Sequence, residues 1–303
     1  MVTSHIQEKQ PDSTLLAIAA IIIAMLSLSF GDALVKLYSA DFVIWQIFIL
    51  RSVIAVAVLM VAWWLWVPRD RKRPGHIGWT SLRSLLMVIM WIFYYLALPN
   101  VQLSLAAAAM YVAPLFITLF SAVFLGERIR PVGWIAATIG FVGVLVILRP
   151  RAGDINFYAF LPIIAAMFYG FAVILTRSKC RNEHPVTLSI ALNAAFLVVG
   201  AIGTAIVPFL TDKREGFFLG LWPDMGGAEW VTMLILVAVI LITGFFVIIA
   251  YQNGRPQIVS TFDFSYVGFA VLWGALMFGD LPDTISFVGI LMIVGGGMLS
   301  LRN

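Results

Sequence analysis

The chain is poor in charge and in the residue types on which disulfide-bonded and metal-binding proteins depend. Only 11% of its 303 residues are charged, and it contains one cysteine, Cys180, and three histidines. A single cysteine excludes an internal disulfide framework, and so little charge excludes an expanded, disordered chain. The hydrophobic share is 62%, against roughly half in a soluble domain. The composition therefore places the chain in a lipid bilayer.

Several catalytic and cofactor motifs are absent as well. His5, His76 and His184 all fall outside the apolar runs, so the sequence offers no haem ligand pair inside a membrane and no HExxH helix. There is no Gly-Lys pair anywhere, which excludes the GxxxxGK[ST] phosphate loop, and there is no TVGYG-like channel filter. We expect no enzyme activity, no cofactor and no metal.

What the sequence does contain is a series of long apolar runs. A helix that crosses about 30 Å of hydrocarbon needs about 20 apolar residues, because its backbone must bond internally in lipid. Ten runs meet or approach this length, and they predict an all-α integral membrane protein with no soluble domain. The predicted spans are 15–38, 42–66, 77–98, 103–125, 131–148, 157–176, 186–210, 230–251, 256–278 and 284–301.

The basic residues lie mostly in the short loops between these runs. With the N-terminus inside, 12 of the 19 Lys and Arg fall in inner segments and four in outer loops. Inner loops are the ones enriched in Lys and Arg, so both termini are predicted to be cytoplasmic. The sequence pI of about 9.3 therefore reflects orientation in the bilayer, and we predict no nucleic-acid partner.

The chain also repeats itself. Adding 153 to Gly126, Glu127, Gly143 and Arg149 leads to Gly279, Asp280, Gly296 and Arg302 without a gap. This predicts a cytoplasmic tail at 1–14 and two five-helix repeats at 15–149 and 150–303. An odd number of crossings inverts the second repeat relative to the first, which is typical of secondary transporters.

Three stretches of the first repeat resemble the EamA module of the drug/metabolite transporter superfamily. They run from Leu105 to Phe116, from Phe124 to Ile129 and from Gly133 to Val144. The resemblance implies two modules of five helices, each with a small-residue fourth helix that carries a proline. The second module departs from this pattern with Val267 where the proline is expected and Gly-Asp-Leu in place of Gly-Glu-Arg.

This resemblance implies a secondary transporter of the bacterial inner membrane. Two-module members of the superfamily include exporters of amino acids and other metabolites, the YddG-like branch among them. We therefore expect small metabolites, most of all amino acids, to be exported by alternating access. Two alternatives stay open: an exporter of lipophilic cations, and a membrane assembly subunit that transports nothing. The expected partners are the small-molecule substrate and the lipid bilayer.

Charged residues at membrane depth identify the first candidate site residues. Such charges are costly, so each is expected to be paired, interior or functional. Asp32 lies one helical turn from Lys36 and at a depth similar to that of Arg51, and the three are expected to form a structural ion pair or a substrate site. Asp263 has no basic residue near it in sequence, so it is the candidate for energy coupling. Arg83 is expected to extend towards the inner interface.

Aromatic and polar side chains complete the predicted pathway. Tyr111 lies in the middle of a span, three residues before Pro114, and its hydroxyl needs a partner in lipid. The ninth span is the most polar of the ten. The predicted substrate and pathway residues are Asp32, Met87, Trp91, Tyr94, Tyr111, Gln257, Ser260, Asp263 and Phe264. Close helix packing is predicted at Gly140, Gly143, Gly295 and Gly296.

Overall fold

The computed structural model describes residues 14–67, 75–126, 131–148, 156–210, 216–253 and 256–300. All regular structure in these ranges is helical, which confirms the predicted all-α class. A short 3₁₀ helix, Phe157–Phe160, precedes α7. The twelve α-helices are α1 (Thr14–Leu37), α2 (Ile44–Trp66), α3 (Ile77–Ala97), α4 (Leu103–Met110), α5 (Ala113–Leu125), α6 (Pro131–Leu148), α7 (Leu161–Lys179), α8 (Pro185–Leu210), α9 (Gly227–Asn253), α10 (Pro256–Asp263), α11 (Ser265–Phe278) and α12 (Thr284–Ser300).

These helices form ten apolar segments within the described ranges. Eight segments are long enough and apolar enough to cross a membrane, and α6 and α12 are shorter apolar helices. The ten segments coincide with the ten predicted spans. The predicted tail 1–14 lies outside the described residues except for Thr14.

The fourth segment is a broken helix, whereas the sequence predicted one continuous span. It divides into α4 and α5, with Tyr111 and Val112 between them. Pro114 has no N–H and so cannot bond to the carbonyl of Met110, as a regular helix would require. The chain tightens here instead, and the N–H of Val112 donates to the carbonyl of Ala109 at 3.3 Å. The proline therefore sets the position of the break.

The ninth segment breaks at the equivalent place without a proline. It divides into α10 and α11 at Phe264, which lies 153 residues after Tyr111. The N–H of Val267 donates to the carbonyl of Phe264 at 3.1 Å, and not to that of Asp263 as a regular helix would require. The carbonyl of Asp263 therefore accepts no bond from Val267.

Both broken segments also end in the same way. Gly126 follows α5 with φ of 68°, and Gly279 follows α11 with φ of 67°. Glycine adopts this left-handed conformation without the penalty that a Cβ imposes, and it closes the last turn of the helix. These two glycines are again 153 residues apart, so the repeat read from the sequence extends to backbone conformation.

The crossing of α6 and α12 shows how the repeated helices meet. Gly143 lies against Gly289, and Gly296 lies against Ala136 and Gly140. As α6 advances from Ala136 to Gly143, its contacts on α12 run backwards from Gly296 to Gly289, so the two helices are antiparallel. Two helices related by the 153-residue offset therefore point in opposite directions.

The remaining contacts obey the same relationship. The most extensive helix pairs join the two halves of the chain: α6 with α12, α1 with α9, α3 with α7, and α2 with α8. In the repeat, each helix from α1 to α6 corresponds to the helix six places later, so that α1 matches α7 and α3 matches α9. The α1–α9 pair therefore matches the α7–α3 pair, while the α2–α8 and α6–α12 pairs match themselves. The α1–α11 and α7–α5 pairs match in the same way.

Apolar side chains on the outside of this bundle form its lipid-facing surface. The second half of α2 is an example, since Val61 is 59% exposed and Trp64 is 70% exposed. The start of the same helix is buried, and Ile44 and Phe48 are among the largest side chains without solvent access. The core lies between the halves, where the buried polar side chains are also found.

Candidate functional site

A hydrogen-bonded cluster of three buried polar side chains joins the two halves. Asp32 lies in α1, Tyr94 in α3 and Tyr266 in α11, and each is at most 3% exposed. The hydroxyl of Tyr266 donates to the carboxylate of Asp32, and the hydroxyls of Tyr94 and Tyr266 lie 2.6 Å apart. A buried carboxylate needs such donors, because burial removes the water that would otherwise solvate it.

Arg51 lies beside this cluster and extends it into α2. Its side chain is 5% exposed, and its guanidinium donates to the hydroxyl of Tyr95 at 3.0 Å. The same guanidinium lies 5.1 Å from the ring centre of Phe196, in a cation–π arrangement. Arg51 is within electrostatic range of Asp32, but among the described residues the two do not form the direct ion pair that the sequence suggested.

Lys36 does not contact Asp32 in the way that the sequence suggested. Its ammonium group donates to the backbone carbonyls of Leu98 at 3.0 Å and Val101 at 2.5 Å, and it lies 4.0 Å from the carboxylate of Asp280. The physical reason is its place in the last turn of α1, where it can reach the turn between α3 and α4 and the end of α11. Lys36 thus ties three segments together at one membrane face.

Tyr111 makes a second connection between the halves. Its hydroxyl donates to the backbone carbonyl of Asp263 at 2.7 Å, the carbonyl that Val267 would bond to in a regular helix. The ring of Tyr111 also packs against Phe264 with centroids 5.0 Å apart and against Tyr266 at 5.5 Å. The two helix breaks therefore contact each other through their central residues.

The other predicted pathway residues are distributed along the same interface. Met87 and Trp91 are partly buried in α3, and Trp91 packs against Tyr94 and Tyr95 with centroids 5.9 Å and 5.0 Å apart. Phe264 is 7% exposed. The side chains of Gln257 and Ser260 lie outside the part of the chain that the structure describes, although both residues belong to α10.

Arg83 is directed into the protein and does not extend along the interface as expected. Its Nε donates to the hydroxyl of Thr176 in α7 at 3.2 Å, and Tyr169 lies within electrostatic range. Tyr169 is in turn within electrostatic range of Asp263. Neither Thr176 nor Tyr169 is among the residues predicted from the sequence. Neither residue belongs to a polar run. Both lie in α7, and they reach Arg83 only because α7 packs against α3.

Three of the four predicted packing glycines lie in close helix contacts. A Cβ at Gly143 would lie 2.9 Å from the carbonyl oxygen of Gly289, and one at Gly296 would lie 2.9 Å from that of Ala136. At Gly140 the close neighbour is the side chain of Leu115. Gly295 differs, because a Cβ there would meet nothing within 4 Å. The prediction for Gly295 is therefore wrong, since its side-chain position faces away from α6.

Two cavities lie away from the buried polar cluster. One of about 310 Å³ is lined by residues of α4, α6 and the start of α7, Ala109 among them, and by Gln102 before α4 and Asn156 before the 3₁₀ helix. The other is an open cleft of about 580 Å³ at the start of α3, between Gly75 and Leu82. Neither contains Asp32, Arg51 or Tyr266. The polar interface between the halves therefore remains the candidate functional site.

Comparison with known proteins identifies the class to which this architecture belongs. Residues 15–149 match the EamA-like transporter family. Riboflavin transporters of Rhizobium johnstonii and Vibrio cholerae are 27% and 28% identical over 75% of this chain and 72% of their own length. The pseudopaline exporter CntI of Pseudomonas aeruginosa is 25% identical over 90% of this chain and 91% of its own length.

A solved structure shares the fold over nearly the whole chain. A crystal structure with 21% sequence identity matches with a TM-score of 0.60, covering 95% of this chain and 96% of that chain. The matched family and the related proteins are membrane transporters rather than enzymes. The first half of the chain is therefore similar to the EamA-like transporter family, and most of the chain is similar to known transporters.

Proposed function

We propose that the protein exports small amphipathic metabolites, amino acids foremost, across the bacterial inner membrane by alternating access. The observation that carries this proposal is the contact between the two helix breaks, in which Tyr111 bonds to the carbonyl of Asp263. Broken helices that meet at the interface of two repeats are the usual place for a transporter's substrate site. A substrate that displaced Tyr111 from this carbonyl would loosen one half from the other.

The two halves are proposed to be inverted repeats at 15–149 and 150–303. The antiparallel crossing of α6 and α12 and the equal φ values of Gly126 and Gly279 support this assignment. With inverted halves, the same set of contacts can form at either membrane face in turn. This is the symmetry that alternating access requires.

One of the two faces is closed in this conformation. Lys36, Leu98, Val101 and Asp280 hold together the ends of α1, α3 and α11. Under the topology predicted from the loop charges, with both termini cytoplasmic, this is the outer face. The structure is then proposed to represent a state in which substrate enters or leaves from the cytoplasm.

The substrate class is proposed from the side chains near the helix breaks. Trp91, Tyr94, Tyr95 and Tyr111 supply ring faces and hydroxyls, which suit a ligand that is partly apolar and partly polar. The related riboflavin and pseudopaline transporters support small metabolites as the class and extend the panel beyond amino acids.

Flux from preloaded proteoliposomes tests the proposal. The panel should contain aromatic and aliphatic amino acids, riboflavin, a sugar and a lipophilic cationic dye. We expect saturable efflux of at least one neutral or zwitterionic metabolite and inhibition by its close analogues. Efflux of the dye in preference to every metabolite would favour the multidrug alternative. Absence of saturable flux for the whole panel would contradict a transport function.

A further inference from the structure

Arg83 has an unsatisfied donor in the interior of the protein. Its Nη1 is buried and has no hydrogen-bond partner, while its Nε is satisfied by Thr176. The hydroxyl of Thr176 donates its one proton to the carbonyl of Ala172 at 2.7 Å, so it meets Arg83 Nε as an acceptor. One edge of the guanidinium is therefore fixed in place, and Nη1 is presented without a partner.

No carboxylate of the described residues lies within 4.0 Å of this guanidinium. Arginine remains charged in proteins, and a buried charge without a counter-ion is strongly unfavourable. Of the charged side chains in the spans, Arg51 has Tyr95 and the nearby Asp32, and Lys36 has two carbonyls and Asp280. Arg83 differs from both, because its nearest polar neighbours are the uncharged Thr176, Tyr169 and Cys180.

The position of Arg83 places this unsatisfied donor on the proposed pathway. Arg83, Met87 and Tyr94 lie on one face of α3 by helical spacing, and Tyr94 is part of the buried cluster that joins the halves. Eleven residues separate Arg83 from Tyr94, which corresponds to roughly 16 Å along the helix. Tyr169, which is in range of both Arg83 and Asp263, connects this point to the helix break.

We propose that Arg83 binds the anionic group, a carboxylate or a phosphate, of the transported metabolite as it passes between α3 and α7. This inference rests on the proposed transport function and names the substrate chemistry within it. The guanidinium is held at Nε by Thr176 and has an unpartnered donor at Nη1, and a planar guanidinium suits the oxygens of a carboxylate or phosphate. The ring of an amphipathic substrate would then point towards Trp91 and Tyr94.

Thermal stabilisation of the purified protein by matched ligand pairs tests this proposal without any transport. The first pair is L-phenylalanine and L-phenylalaninol, which differ in the carboxylate. The second is riboflavin 5′-phosphate and riboflavin, which differ in the phosphate. A ligand that binds the native state stabilises it by RT ln(1 + L/Kd) at free ligand concentration L and so raises Tm with the logarithm of its concentration over Kd, and the titrations therefore yield apparent affinities.

The variants are Arg83→Gln, Arg83→Lys and the control Arg177→Gln, which removes an exposed charge one residue after Thr176. We expect at least one anionic ligand to bind more tightly than its neutral partner. Arg83→Gln should lower the affinity for that ligand by roughly 10- to 100-fold, which corresponds to the loss of a charged hydrogen bond. The affinity for its neutral partner should not change. Arg83→Lys should weaken it less, and Arg177→Gln should have no effect.

The outcomes separate this inference from the proposed function. Equal affinity for the acids and their neutral partners in the unmutated protein, or an acid affinity that both Arg83 variants leave unchanged, would overturn the role of Arg83. Where Arg83→Gln does not fold, the affinity of Arg83→Lys decides between these outcomes. Lysine keeps the positive charge but lacks the planar donors of the guanidinium. Failure of the proposed function is instead seen as the absence of flux in proteoliposomes while these binding differences persist.

Discussion

The hydroxyls of Tyr94 in α3 and Tyr266 in α11 lie 2.6 Å apart, and that of Tyr266 also donates to Asp32 in α1. One hydroxyl therefore links three helices from both halves of the chain. Because Asp32 is 2% exposed, no water replaces Tyr266 if that hydroxyl is removed. This cluster stabilises the conformation, and it lies on the pathway proposed for the substrate.

Tyr266→Phe is expected to destabilise the protein by about 1–3 kcal/mol, because it leaves Asp32 buried without its donor. Tyr158→Phe is the matched control, since Tyr158 is 42% exposed in the 3₁₀ helix before α7. Thermal unfolding in detergent micelles measures the difference. Equal Tm values for the two variants would show that the hydroxyl of Tyr266 contributes nothing to stability.

Asp263→Asn is expected to abolish accumulation driven by an imposed pH gradient while downhill exchange survives. A coupled exporter needs a carboxyl that gains and loses a proton as the site changes sides, and Asp263 lies at the helix break with Tyr169 and Tyr111 nearby. Asp224→Asn, in an exposed loop, is the control. If a pH gradient drives no accumulation in the unmutated protein, coupling through Asp263 is refuted and a facilitator remains.

Lys36→Met is expected to open the face that Lys36 holds closed, because it removes the bonds to Leu98 and Val101 and the charge opposite Asp280. A reporter cysteine at Ala270, which is fully buried in α11, should react several-fold faster with an impermeant maleimide. The background is Cys180→Ala, so that only the reporter reacts. Lys179→Met, whose ammonium lies over the ring of Trp79 at the end of α7, is the control. An unchanged labelling rate would argue against a closing role for Lys36.

Gly296→Ala is expected to cost about 1–3 kcal/mol of stability, the usual penalty for overpacking. The added Cβ would lie 2.9 Å from the backbone of Ala136 and Gly140, which cannot rotate away. Gly295→Ala is an unusually close control, since its Cβ would meet nothing within 4 Å. Similar Tm losses for the two variants would contradict the α6–α12 crossing.

Cys180 is expected to alkylate slowly in the folded protein and to require a higher pH than a free thiol. Its side chain is 2% exposed, and burial raises the pKa of the Cys180 thiol. The reactive thiolate is therefore less populated at neutral pH and increases only as the pH rises towards that pKa. Iodoacetamide labelling from pH 7 to 9, compared with labelling in denaturing detergent, checks this. Equal rates in the two conditions would mean that the thiol is accessible.

The spans, their number and the repeat could be predicted from the sequence, because each depends on local properties. Apolar length determines which segments can lie in lipid, and the 153-residue offset from Gly126 to Gly279 can be read directly. The need of the Tyr111 hydroxyl for a partner was also predictable, since Pro114 nearby implies an irregular backbone, and the structure supplies the carbonyl of Asp263 as that partner. The break at Phe264 was not predicted, because Val267 carries the N–H that a regular helix would use.

Only the tertiary structure decided the partners of the charged residues and the orientation of neighbouring glycines. Lys36 was predicted to contact Asp32 one turn away, but its long side chain reaches Asp280 and the α3–α4 turn, which are distant in sequence. Arg83 is directed to Thr176 because α3 packs against α7, a pairing that no local pattern specifies. Gly295 and Gly296 differ by about 100° around the helix axis. The packing of the two halves sets the orientation of α12, and this orientation determines which of the two glycines lies against α6.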